Sequence, residues 1–129
     1  MNQNRTVVFV CEHGAAKSIV AAAYFNQLAS KAGLNLRAIA RGTNPDYELS
    51  PQAIKGLSEA GLTPTESSPQ KLTEADMQSA QRVITFCELP NEYKQQVMIE
   101  RWNNVPPVSE DYEKARDVII KNIRQMLDR

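Results

Sequence analysis

The chain has 129 residues, enough for one domain with a sizeable core, and its 15 Lys and Arg balance 15 Asp and Glu to a formal net charge of zero. That balance makes neither nucleic acid nor an anionic membrane an expected partner. No apolar run nears the roughly 20 residues of a membrane span, and MNQNRTVVFV is too short in apolar residues for a signal peptide, so a cytoplasmic location is expected. Two cysteines in a reducing compartment do not read as a structural disulfide; with one histidine and no CxxC, neither a metal cluster nor a cofactor is expected.

In chain order, Val7 to Val10 is an apolar, β-branched run that ends at Cys11 and predicts a first strand. A short loop with Gly14 follows, and from Lys17 to Ala32 the apolar residues Ile19, Ala22, Ala23, Leu28 and Ala29 fall on one helical face, with Gly33 as the stop. Leu34 to Arg41 predicts a second strand. Ser50 then caps a helix with Pro51 at its first position, Ala53, Ile54 and Leu57 on its apolar face and Gly61 at its end. LTPTESSPQ is a polar connector, and Thr73 with Asp76 forms a capping box for a brief helix up to about Ala80.

Arg82 to Cys87 predicts a third strand, and Val97 to Trp102 a shorter, more polar fourth, as suits an edge. After a loop at Asn103 to Pro107, the longest helix is expected from Ser109. Glu110 and Asp111 suit its first turn, Ala115, Val118, Ile119, Ile123, Met126 and Leu127 its apolar face, and Lys121, Arg124 and Arg129 its far end. Strands alternating with helices at this spacing predict a parallel α/β sheet with right-handed crossovers, whose ligands bind at the carboxyl ends of the strands. Both cysteines fall at that edge.

Strand, loop and helix around Cys11 make an anion site by construction, because the loop amides and the free amides of the helix start converge there. A thiol under those donors is expected to have a depressed pKa and to be nucleophilic at neutral pH. Lys17 adds a positive charge, and the Ser18 hydroxyl can donate to the thiolate. Gly14 permits a positive φ, while Ala15 and Ala16 keep space clear. The chemistry this predicts is thiolate attack on a bound oxyanion. A nucleotide-binding P-loop is excluded, since Ala16 stands where the glycine before Lys is required.

The segment VFVCEHGAAKS resembles the signature loop of the low-molecular-weight protein tyrosine phosphatase superfamily, which includes the thioredoxin-coupled arsenate reductases; SPQAIKGLSEAG, QRVITFC and the Trp102 region with the final helix extend the likeness over nearly the whole chain. The resemblance implies a single three-layer α/β domain over residues 1–129, with a four-stranded parallel sheet flanked by helices. It assigns the nucleophile to Cys11, catalytic roles to Lys17 and Ser18, and the anion-binding loop to Glu12, His13, Gly14, Ala15, Ala16, Lys17 and Ser18. It implies phosphate, arsenate or a phosphorylated substrate as ligand, with thioredoxin or another thiol as reductant in the arsenate case. Cys87 corresponds in place to the thiol with which such reductases resolve the first one; as a residue it reads equally as a buried strand end. His13, the single histidine, takes no proton from the nucleophile in this family, and side chains at such positions often point outward.

Two departures stand out. Lys17 replaces the family's Arg, exchanging a bidentate planar fork for a point charge. Val105 and Pro106 stand where the general-acid Asp is expected, a loss worth about a hundredfold or more, with Asp46, Glu110 and Asp111 as candidate substitutes. The rim, formed by Glu12, His13, Asn44, Tyr47 and the WNN loop, is poor in aromatics and disfavours phosphotyrosine. Three functions are therefore expected to compete: a phosphatase or arsenate reductase, a phosphocysteine carrier of the sugar phosphotransferase kind, and a catalytically reduced anion-binding or sensing domain.

Overall fold

The computed structural model describes residues 5–93 and 99–128. Among them, β1 (Thr6–Cys11), β2 (Arg37–Gly42), β3 (Ala80–Thr85) and β4 (Ile99–Arg101) form one parallel sheet in the order β2-β1-β3-β4. The helices are α1 (Lys17–Lys31), α2 (Pro51–Glu59), α3 (Glu74–Ser79) and α4 (Tyr112–Leu127). The β1 run has no polar alternate positions, so it must be covered on both faces. Val7 and Phe9 accordingly pack in the cluster built by α1, α2 and α4, whereas Val8 and Val10 pack with Leu72, Met77 and Val83 on the other side. Helices, sheet and the α3 side make three layers, an α/β fold with a four-stranded parallel sheet.

Local sequence accounts for most element ends. Ser50 accepts from the Ala53 amide with Pro51 opening α2, and Thr73 and Asp76 form a reciprocal box at α3. Gly33, at φ 72°, closes α1 in the left-handed region. In α1, Ala21 and Ala22 are fully buried, and such small side chains let the helix lie close on the sheet. Gly56 serves a different packing need: the Tyr112 ring lies where its Cβ would be, 2.1 Å from the nearest ring atom, so α2 and α4 meet only because position 56 lacks a side chain.

Several expectations are corrected. β2 begins at Arg37 rather than Leu34, because the amide of Leu34 still bonds back to Ala29 at the end of α1. Ile54 is exposed; Gly56 joins Ala53 and Leu57 on the buried face of α2. β3 ends at Thr85, two residues before Cys87. Trp102 follows β4 and is a core residue, its ring 5.7 Å from Phe9 and 5.8 Å from Phe86. α4 starts at Tyr112, since Asp111 stands outside it and caps it by accepting from the Lys114 amide. Val97, Met98 and Arg129, which the sequence places in the fourth strand and at the end of the last helix, lie outside the described residues.

The polar connector seals the β2 edge. The Glu66 carboxylate accepts from the Ala40 amide at 3.3 Å, Gln70 accepts from Gly42, and Leu72 donates to Gly42. Arg41 spreads its guanidinium between Asp76 at 2.9 Å and Glu66 at 3.3 Å. A paired edge offers no ladder for another strand. Among the described residues, no helix is long and apolar enough to cross a membrane.

Candidate active site

The loop between β1 and α1 is shaped by its partner, the segment after β2. Gly14 sits at φ 63°, and a Cβ there would be 2.9 Å from the Gly42 nitrogen; a Cβ on Gly42 would be 2.6 Å from the Gly14 nitrogen. Two backbones thus touch where only glycines fit. From that contact the segment after β2 takes up the loop's carbonyls: Thr43 donates to Cys11 at 3.2 Å, Asn44 to Glu12 at 2.7 Å, Asp46 to His13 at 3.0 Å and Ser50 to Ala15 at 2.9 Å. With the carbonyls bound on that side, none of the backbone N–H groups from Glu12 to Ser18 donates to a protein acceptor among the described residues. Unsatisfied amides gathered at a helix start form an anion cradle. Ala16, at the N-cap of α1, has no side-chain acceptor to satisfy them.

Cys11 lies at the base of a cavity of about 670 Å³, with Lys17 also on its wall. The Ser18 hydroxyl, completely buried, is 3.0 Å from the Cys11 Sγ. Among the described residues Lys17 has no ion-pair partner, whereas Arg41, whose fork would suit a phosphate, is bound to two carboxylates elsewhere. Glu12, His13, Ala15 and Ala16 also reach the cavity; Gly14 serves the backbone contact with Gly42. His13 is half-exposed at the mouth, its Nδ1 3.3 Å from Asp46.

Cys87 shares this cavity. Burial pushes its thiol pKa up, the charge of Cys11 and then that of Glu12 add to the rise, and the Thr43 hydroxyl and Arg101 oppose it. Of the candidate replacement acids only Asp46 lines the cavity, because Asp111 is spent on capping α4 and Glu110 faces solvent. The far wall is Pro107, Val108 and Ser109 rather than the expected WNN loop, whose Trp102 is buried in the core; Val105 is buried as well. Asn44 is committed to the loop contact through its amide, while Tyr47 lines the mouth, fully exposed. Sequence reasoning missed Glu48, whose only signal was its place just before the helix cap, and read Ser50 as that cap alone and not as part of the cavity wall. Among the described residues, no group of His, Cys, Asp or Glu side chains is placed to hold a metal ion.

A family model described as low molecular weight phosphotyrosine protein phosphatase matches residues 6–129. No curated protein matches the chain. Among solved structures, an arsenate reductase from Archaeoglobus fulgidus is 23% identical with a TM-score of 0.80, covering 95% of this chain and 99% of its own. YfkJ from Bacillus subtilis is 19% identical with a TM-score of 0.85, covering 98% and 94%. A YwlE mutant from Bacillus subtilis is 22% identical with a TM-score of 0.79, covering 94% and 95%. At these identities the likeness is one of fold.

Proposed function

The chain belongs to the low molecular weight phosphotyrosine protein phosphatase family, and from that premise we propose that it is a cysteine-dependent enzyme acting on a phosphate monoester or on arsenate. The observation that carries this reading is the juxtaposition of Cys11 with free loop amides and the Ser18 hydroxyl at 3.0 Å. In the hydrolytic reaction the Cys11 thiolate attacks phosphorus, the P–S bond forms and the P–O bond to the leaving group breaks. The amides of residues 12 to 18 and the Lys17 ammonium stabilise charge on the non-bridging oxygens, and Ser18 donates to the sulfur. Water then attacks phosphorus and returns the thiolate. Lys17 supplies charge without the bidentate grip of Arg, so slow turnover is expected relative to an arginine-bearing site. The reducing cytoplasm, which keeps Cys11 a thiol, is the compartment this chemistry needs.

Cys87 in the same cavity favours a second reading, arsenate reduction. There Cys11 forms a thiol ester of arsenate, Cys87 attacks Cys11 sulfur, and two electrons pass to arsenic, releasing arsenite and leaving a disulfide for thioredoxin or another thiol to reduce.

The test is turnover of p-nitrophenyl phosphate by the wild type and Cys11→Ser, with arsenate and a thioredoxin system alongside. Loss of at least about a thousandfold on removing the nucleophile supports the hydrolytic reading. Equal inertness of both proteins on the ester, with arsenite formed only when Cys87 is present, assigns the reductase instead. Inertness in both assays overturns the enzyme reading and leaves phosphate binding to decide between the carrier and the sensor.

A further inference from the structure

The departure of the leaving group needs a proton, and the position the family reserves for its donor is apolar here. In-line attack from Cys11, at the cavity base, sends the leaving oxygen toward the mouth. The far wall there is Pro107, Val108 and Ser109, which brings no acid of its own. The ionisable groups around the cavity, besides the two thiols, are Glu12, His13, Lys17, Asp46, Tyr47 and Glu48. A water-exposed carboxylate ordinarily gives up its proton well below neutrality, and an ammonium or phenol well above it; an imidazole exchanges its proton near neutrality.

We infer that His13, oriented by Asp46, is the general acid that protonates the leaving group. This rests on the hydrolytic reading above. The pair is held twice, by Nδ1 of His13 against Asp46 Oδ1 at 3.3 Å and by the Asp46 amide on the His13 carbonyl at 3.0 Å. The side-chain contact is an ion pair made by the charged imidazole on its Nδ1 side, and it leaves Nε2 as the nitrogen that works. Glu12 Oε2 is 3.9 Å from that nitrogen, outside hydrogen-bond distance, so it draws charge without occupying the donor. Side-chain exposures of 53% for His13 and 55% for Asp46 put the pair at the rim, on the path of a departing alcohol. Lys17 and Glu48 share the cavity and face the same group from α1 and from the segment after β2.

As the P–S bond forms and the P–O bond breaks, the electron pair stays on the leaving oxygen and the Nε2 proton of the imidazolium joins it. In the second step neutral Nε2 takes a proton from the attacking water as the P–S bond breaks, which restores the imidazolium. His13 is the catalytic residue in both steps, and Asp46 is a positioning residue.

The experiment compares p-nitrophenyl phosphate, whose phenoxide leaves unaided, with phenyl phosphate, whose phenoxide needs the proton, in wild type, His13→Gln and Asp46→Asn. His13→Gln is expected to lose about a hundredfold in kcat/KM, which reports leaving-group departure and not the later hydrolysis step, on phenyl phosphate and no more than about threefold on p-nitrophenyl phosphate. Inorganic phosphate is to inhibit all three proteins within about twofold of one another, which shows the loop intact. The fall of kcat/KM on phenyl phosphate at alkaline pH, present in wild type because a donor must be protonated, is to vanish in His13→Gln. Asp46→Asn loses part of the phenyl phosphate activity and keeps the alkaline fall. Equal losses on both esters with weakened phosphate inhibition, or no loss on phenyl phosphate, overturns the assignment. A wild type inert on both esters overturns the hydrolytic reading itself, and the assignment with it.

Discussion

β1 and β3 are parallel neighbours, and a cysteine at the end of the first and another two residues past the second line the same cavity, yet the chain around them differs. After Cys11 comes a tight loop and the start of a fifteen-residue helix with an uncapped N-terminus; after β3 come Phe86, Cys87 and, among the described residues before β4, the single turn Asn91–Tyr93. The Cys87 thiol, without a helix start over it, has its pKa raised by burial and by the charge of its neighbour. The contrast repeats among the helices. Ser50, Thr73 and Asp111 cap α2, α3 and α4 by side chain, and α1 alone among these has alanine there. A missing cap costs about 1 kcal/mol, and the amides it leaves free are what an anion requires. Stability is thus surrendered at one helix start, the one that faces Cys11.

Ala16→Asp breaks that contrast most sharply. A carboxylate at the N-cap of α1 satisfies the free amides and repels an anion, so inhibition by inorganic phosphate should weaken at least about tenfold while the helix gains up to about 1 kcal/mol in thermal unfolding. Unchanged phosphate inhibition would show that the amides do not bind the ligand.

The next effect concerns the two thiols. The raised pKa of Cys87 means that less of it is thiolate at neutral pH than of a free cysteine. Its alkylation by iodoacetamide should therefore climb nearly tenfold per pH unit into the alkaline range. In Cys11→Ser the second-largest cause of the shift is gone, and Cys87 should react a few fold faster at pH 8, as read by mass spectrometry of the labelled peptide. A Cys87 rate that is flat with pH or indifferent to the substitution would remove the coupling.

Smallest is Asp111→Ala, which strips the cap from α4. It should cost about 1 kcal/mol, a fall of roughly 3–5 °C in Tm, and leave turnover unchanged. A drop in activity without loss of stability would return Asp111 to the list of proton donors.

Features that depend on near neighbours in sequence were legible without coordinates. The strand ending at Cys11, the positive φ at Gly14, the caps at Ser50 and Thr73 and the α4 face of Ala115, Ile119, Ile123 and Met126 each follow from a few consecutive residues. Boundaries set by competing bonds were not, as at Leu34, held back by Ala29, and at Asp111, drawn out of α4 to cap it. The far wall of the cavity escaped for the same reason, since nothing local reveals that Pro107 to Ser109 stand across from Cys11 while Trp102 turns into the core.

By itself, then, the sequence determined the order of elements, the thiol at the end of β1 and the glycine that lets the loop turn, because backbone preference and short periodicities encode these within a turn or two of chain. Only the tertiary structure decided that Gly42 packs on Gly14 and that the segment after β2 takes up the loop's carbonyls. It also decided that Asp46 reaches His13 and that Arg41, not Lys17, holds the paired carboxylates. Each of these joins residues about thirty positions apart, and such meetings depend on how the whole sheet and its layers pack rather than on any local signal.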